Sequence, residues 1–294
     1  GNAWSYTTPG LSDGSHSLTA RAIDLAGNFK TSTAFVAKVD TALPTANFSS
    51  SIGTNTGAAA SIAAGGATKD NTLTLSVSAS DGASGSGIQS VEILDGTQSL
   101  GLATLADGVW TLTTGVLADG EHSFSAKVTD NAGNLSTTAV VKASIDATPP
   151  TLAASFSAQG VALTSGMLVN AKQLDIALTA SDNSADQLSV QLFDGTTALR
   201  SAVLSNGQLS LTTPDLADGS HNLSIKVTDA VGNTTASGNL VVNVDTVLPA
   251  VSINSLPNAG LINSTFLTLG GTASDASGLR QVEIFDGTTS LGTV

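Results

Sequence analysis

The chain has 294 residues, no cysteine and a formal net charge of −13, which excludes disulfides, thiolate metal sites and thiol nucleophiles. The acidic balance argues against nucleic acid as a partner, because phosphate binding needs clustered Lys and Arg, and against anionic membrane surfaces. No apolar run approaches the ~20 residues of a spanning helix, so no membrane insertion is expected. The acidic residues are lopsided: there are 20 Asp but only three Glu, at 92, 121 and 283. Aspartate has a short side chain suited to turns and to tight oxygen cages.

Taken in order, residues 1–40 read as the last part of a repeat. Trp4, Tyr6 and Leu11 answer Trp110, Leu112 and Leu117 further on. A strand is expected at 16–23, where Leu18, Ala20 and Ala22 alternate with Ser17, Thr19 and Arg21. The turn 24–28 and a strand at 34–39 close the unit. Residues 41–146 form a full repeat. Its expected strands are 46–50, 72–80, 88–94, 99–104, 109–114, 122–129 and 137–145, and the Gly- and Ala-rich stretch 54–66 is read as a loop. Residues 147–245 repeat this order with strands at 173–181, 188–193, 198–203, 208–213, 221–228 and 238–244. Residues 246–294 hold the first part of a fourth copy, where SDASGLRQVEIFDGTTSLG answers SDGASGSGIQSVEILDGTQSLG.

The copies are in step. LSDGSH, LADGEH and LADGSH precede Asp24, Asp130 and Asp229, and each of these opens a D-x-x-G-N turn. Asp40, Asp146 and Asp245 then precede a Thr and a Pro. The period, 106 residues and then 99, is that of a whole small domain. Helical periodicity is absent, and turn signals recur every 8–12 residues. That pattern implies an all-β chain of tandem sandwiches with about seven strands each. The chain opens at Gly1 without a leader, so it is expected to be an internal piece of a longer array. Val294 answers Ala103 and Gly1 answers Asp107. The two end pieces are therefore complementary parts of one repeat, and head-to-tail self-association of the chain is one expectation.

Strands that run alternately up and down bring specific loops to the same end of a sandwich. At the first seam this gathers Asp13, Asp40, Asp81 and Asp130. At the second it gathers Asp95, Asp119, Asp146, Asp182 and Asp229, and at the third Asp194, Asp218, Asp245 and Asp275. Clustered bare carboxylates repel by roughly 1–4 kcal/mol per close pair. A hard cation removes that cost, and oxygen ligands without His or Cys favour Ca²⁺. Each motif also has a plainer reading. D-x-x-G-N alone is a good turn, the linker Asp alone a polar break, and the Asp-Gly pairs hairpin and corner turns. Asp70, Asp175, Asp186 and Asp215 do not recur and read as surface charges. His16, His122 and His221 share one position and read as corner residues that tie down a turn. Trp4 and Trp110 align with Leu209, so the slot reads as core. No G-x-S-x-G, H-E-x-x-H or P-loop occurs, and no catalysis is expected.

L-[AS]-D-G-x-H, the D-x-x-G-N turn, V-D-T-x-x-P and I-D-x-T-P-P resemble the bacterial Ig-like repeats of giant type I-secreted, biofilm-associated surface adhesins. The resemblance covers the whole chain. It implies tandem Ig-like sandwiches on the bacterial cell surface, with neighbouring repeats as partners and calcium at their junctions stiffening a stalk. By match of motif, Asp24, Asp130, Asp229, Asp40, Asp146 and Asp245 inherit the ligand role. The loop after the second strand varies in length between copies, so Asp81, Asp182 and Asp275 rest on the seam construction instead. Two other functions compete with the spacer: direct binding of host-cell or matrix glycans, and an accessory segment of a secreted hydrolase.

Overall fold

A computed structural model describes residues 3–55, 60–184, 187–204, 206–254 and 260–294. The chain is built of β-strands and divides into two compact units: Gly1–Thr148 with Val231–Asn233, and Pro149–Ala230 with Thr234–Val294.

In the first unit, residues 41–146 form a two-sheet sandwich. One sheet runs Gln98–Leu102, Ile88–Asp95, Gly120–Asp130, Val141–Ile145 and Ala67–Thr68, with Leu135–Thr137 also paired to Gly120–Asp130. The other runs Thr104–Ala106, Val109–Thr113, Leu73–Ser80, Ser51–Thr54 and Ser61–Ala63, with Thr45–Phe48 on Leu73–Ser80. Alternation explains the core. Leu73, Leu75 and Val77 point inward from one sheet, and Val91, Ile93, Phe124, Ala126 and Val128 from the other; all eight are fully buried. The intervening Thr74, Ser76, Glu92 and Lys127 are half-buried or exposed, as period two requires. Trp110 packs half-buried against this core.

The second unit repeats the plan. Asp175–Ser181 lies between Thr151–Ala158 and Gln208–Thr212, and the facing sheet centres on Gly219–Thr228, flanked by Leu188–Asp194 and Leu240–Val244. Leu174, Leu223, Ile225, Val227 and Val242 are its fully buried centre. Among the described residues, each end piece contributes short two-stranded pairs. Gly14–Leu18 pairs with Phe35–Val39, and Arg21–Ile23 with Phe29–Thr31. Ala250–Ile253 pairs with Gly271–Ser274, and Glu283–Asp286 with Thr289–Thr293.

Three expectations need correction. The stretch 54–66 is not all loop: Ser61–Ala63 pairs with Ser51–Thr54, anchored by Ile52, which is fully buried. Residues 56–59 of that stretch lie outside the described residues. The strand Ala67–Thr68, parallel to Val141–Ile145, was not anticipated, because two residues cannot show an alternation. Asp70 is not a surface charge. It is fully buried and accepts hydrogen bonds from the Asn55 N–H and from the Thr72 N–H and hydroxyl, the last two at 3.2 Å. Those bonds offset its desolvation. Asp175 and Asp215 are exposed, and Asp186 lies outside the described residues.

Candidate metal centre

Three aspartates of the first unit meet where residues 3–40 run into the first full repeat. Asp40 follows the strand Phe35–Val39, Asp81 follows Leu73–Ser80, and Asp130 ends Gly120–Asp130. One carboxylate oxygen from each lies within 4.8 Å of the other two.

The surrounding loops explain how three like charges are held together. The D-x-x-G-N turn wraps Asp130, whose Oδ1 accepts the Ala132 and Asn134 N–H groups at 2.9 and 2.8 Å. Gly133 makes this turn possible with φ of 94°. The Asn134 amide donates to Asp130 Oδ2 at 2.7 Å and to the main-chain carbonyl of Asp40 at 3.1 Å. The loop after Asp81 folds back on itself. Its Gly87 N–H donates to Asp81 Oδ2 at 2.7 Å, and its Ser86 N–H to Asp40 Oδ2 at 2.6 Å. Ser86, hydroxyl first and N–H second, holds the Asp40 carboxyl below the usual carboxylate range. A Cβ on Gly85 would stand 1.9 Å from the Asp81 carbonyl oxygen and 2.5 Å from its carboxyl carbon, so only glycine fits the turn. Asn131 and Ala132 dock on Ser86 at 3.0 and 3.1 Å, joining the two aspartate-bearing loops. Lys38 Nζ donates to the Gly85 carbonyl.

One atom has no donor. Asp81 Oδ1 is buried and receives no hydrogen bond among the described residues. A buried carboxylate oxygen without a partner is costly unless a proton or cation meets it. Calcium binds oxygens at about 2.3–2.6 Å, so oxygens up to about 5 Å apart can share one ion. The three carboxylates meet that condition.

The other aspartates divide into groups. Asp146 belongs to the first unit and is buried, with its N–H on the Thr68 carbonyl at 2.9 Å. Asp182 and Asp229 belong to the second. Asp229 is buried, and Asp182 Oδ1 is another buried oxygen without a donor among the described residues. Asp245 accepts the Val247 N–H at 3.1 Å, and Asp275 accepts the Ser277 N–H and hydroxyl at 2.9 and 2.7 Å. Ser277 holds Asp275 low, with a smaller contribution from Asp245. Asp24 is exposed, and its bonds are those of the turn alone: the Ala26 N–H at 3.0 Å, and the Asn28 N–H and side chain at 2.7 and 2.9 Å. The Asn28 side chain is the main reason its carboxyl stays low.

Asp13, Asp119 and Asp218 are not drawn into the trio; each clamps its own linker instead. Asp13 accepts the Thr41 N–H and hydroxyl, both at 2.9 Å. Asp119 accepts the Ala147 N–H at 2.8 Å and the Thr148 hydroxyl. Asp218 accepts the Thr246 N–H and hydroxyl at 2.8 and 2.9 Å. Asp95 and Asp194 turn to the corner histidines. His122 Nδ1 meets Asp95 at 2.6 Å and its Nε2 the Ala118 carbonyl at 2.8 Å. His221 does the same with Asp194 at 2.7 Å and the Ala217 carbonyl at 2.8 Å. The histidines thus tie down the turn, as their shared position implies.

Sequence reasoning missed Ser86, Gly85 and the double role of Asn134. The recurring Ser-Gly after the loop aspartate, at 86–87 and again at 277–278, was the available signal.

The chain is 18% identical to the fibronectin(III)-like modules of Clostridium thermocellum CbhA, covering 62% of this chain and 90% of that one, with a TM-score of 0.35. It is 17% identical to a structure described as bearing on host cell surface retention of a 1.5-MDa bacterial ice-binding adhesin, covering 74% and 70%, with a TM-score of 0.29. A marsupial T cell receptor is 12% identical, covering 72% and 77%, with a TM-score of 0.43. Scores this low carry no functional argument. No curated protein matches the chain by sequence. The profile of the bacterial Ig-like domain matches residues 1–41, 43–147 and 148–246. Those matches span most of the chain, and it belongs to the bacterial Ig-like domain family.

Proposed function

We propose that the chain is a non-enzymatic spacer of a secreted bacterial surface adhesin, stiffened by calcium at its domain junctions and serving adhesion and biofilm formation. The observation that carries this reading is the meeting of Asp40, Asp81 and Asp130, with Asp81 Oδ1 buried and lacking a donor. Those three carboxylates would hold the ion. A bound Ca²⁺ supplies the positive charge that the trio lacks. Asp40 sits in the linker itself, whereas Asp81 and Asp130 are rooted in the following repeat. An ion shared among them therefore resists bending of the linker. Extracellular modules typically hold calcium at about 10⁻⁴–10⁻³ M, which suits a site filled outside the cell and empty inside it. Ig-like families are generally non-enzymatic, which agrees with the missing catalytic motifs.

Small-angle scattering with calcium and with excess chelator tests the spacer. The expected result is a longer maximum dimension in calcium. An unchanged scattering profile would count against stiffening.

A further inference from the structure

The two complete repeats differ along one sheet edge. Residues 95–114 and 194–213 align without a gap, so Thr104 answers Val203, Leu105 answers Leu204 and Thr111 answers Ser210. In the first repeat the chain changes sheets after Gly101. Gln98–Leu102 pairs with Ile88–Asp95, and Thr104–Ala106 then pairs with Val109–Thr113, covering its outer edge. Gly101 permits the change with φ of 129°, a conformation that favours glycine. In the second repeat Arg200 holds that position and does not adopt a positive φ. Thr197–Leu204 instead stays on Leu188–Asp194 to its last residue, with Leu204 opposite Leu188. Leu204 is 3% exposed where Leu105 is 57% exposed, so the core of the second repeat holds it.

The strand Gln208–Thr212 is left, among the described residues, with Asp175–Ser181 as its one partner. The Thr213 N–H bonds the Leu174 carbonyl at 2.9 Å. By the alternation of an antiparallel ladder, the main-chain groups of Gln208, Ser210 and Thr212 then face the open edge. Arg200 Nη1 donates to one of them, the Thr212 carbonyl, at 2.9 Å. Those of Gln208 and Ser210 have no partner among the described residues. A groove of about 620 Å³ runs between residues 200–202 and 209–212. An uncovered edge beside such a groove is a template for an added strand.

We propose that this edge takes an extended peptide of another protein as an added antiparallel strand, in the place that Thr104–Ala106 fills in the first repeat. The first repeat shows the chemistry that fits: Leu105 opposite Trp110, flanked by the small residues Thr104 and Ala106. Arg200 and Asp175 both line the groove and balance in charge, so the occupant is uncharged. Arg200 already holds the Thr212 carbonyl, so the added strand spans Gln208–Ser210. The main-chain bonds give affinity, and the apolar residue between two small ones gives selectivity. The contact does not depend on the cation site and persists in chelator.

The test uses the whole chain in chelator and the end-blocked peptide Leu-Ala-Thr-Leu-Ala, the sequence of residues 102–106. The expected result is saturable binding of one peptide per chain. Amide exchange at Ser210 should slow at least tenfold on binding, and exchange at Thr111, whose edge is already covered, should not change. The same peptide with its threonine nitrogen methylated cannot donate to the Ser210 carbonyl and should bind at least tenfold more weakly. No saturation up to about 1 mM peptide, equal binding of the methylated peptide, or binding that leaves Ser210 exchange unchanged overturns the proposal. So does slow exchange at Ser210 in the free chain, which would mean that the chain or a second copy covers the edge itself.

Discussion

The side-chain amide of Asn134 donates to the main-chain carbonyl of Asp40 at 3.1 Å, across 94 residues of sequence. The same amide holds Asp130 Oδ2 at 2.7 Å. One asparagine therefore fixes the linker aspartate and the turn aspartate relative to each other. Asn134→Ala removes both bonds. It should destabilise the junction by about 1–3 kcal/mol and weaken calcium binding. Denaturant unfolding with and without calcium measures both effects. An unchanged midpoint would show that the amide holds nothing in place.

Gly85 gives a cleaner separation of site from core. An added Cβ meets the backbone oxygen of Asp81 at 1.9 Å, and backbone cannot swing aside as a side chain can. Gly85→Ala should displace the 81–87 loop and weaken calcium binding at least tenfold. The fully buried core of Leu75, Val91 and Phe124 is untouched, so the circular dichroism spectrum should not change. A variant that binds calcium normally would mean the loop does not position Asp81.

The corner histidines predict a pH dependence. Burial opposes the charged form of His122, but the Ala118 carbonyl and the Asp95 carboxylate outweigh it, and the pKa lies above the usual value. In His221, burial is likewise outweighed by Asp194 and the Ala217 carbonyl. Burial works to raise the Asp194 carboxyl, and its bonds to His221 and Asn222 bring it below the usual range. A raised histidine contributes stability that is complete below about pH 6.5 and lost as pH climbs through the folded-state pKa. A lowered aspartate contributes stability present above about pH 3.9 and lost as pH falls through its folded-state value. The His221–Asp194 corner is thus tightest between about pH 4 and 6.5. In chelator, melting temperature should fall from pH 6 to 9, and the His122→Gln, His221→Gln double variant should flatten that slope. Parallel slopes would contradict the assignment.

Phe124 is fully buried between the two sheets. Phe124→Ala should cost about 3–5 kcal/mol, the usual range for emptying a buried aromatic site. Its counterpart in the first end piece, Leu18, is only half-buried, so Leu18→Ala should cost much less. Thermal melts of the two variants check the contrast.

Much of the fold was legible because period-two alternation writes burial directly into the sequence. The run Leu73, Leu75, Val77 and the run Phe124, Ala126, Val128 are examples. The repeat also aligned the aspartates. What it could not show was which donor each carboxylate would find. Asp13 and Asp119 recur as faithfully as Asp40 and Asp130, yet their oxygens are taken by linker N–H and hydroxyl groups. Recurrence identifies a constrained position, and only geometry shows that Asp40 and Asp130 come together with Asp81 while Asp13 and Asp119 hold their linkers. Asp70 was misread for the converse reason: it does not recur, but its neighbours Asn55 and Thr72 supply enough donors to bury it.

Calorimetric titration of calcium into the chain and into Asp81→Ala tests the central claim most directly. The account predicts binding at about 10⁻⁴–10⁻³ M, with one fewer ion bound by the variant. At a hundredfold excess over the dissociation constant, the ion should add about 2.7 kcal/mol to the stability of the parent junction. Equal stoichiometry in the two proteins, or no heat from either, would contradict a cation held by Asp40, Asp81 and Asp130.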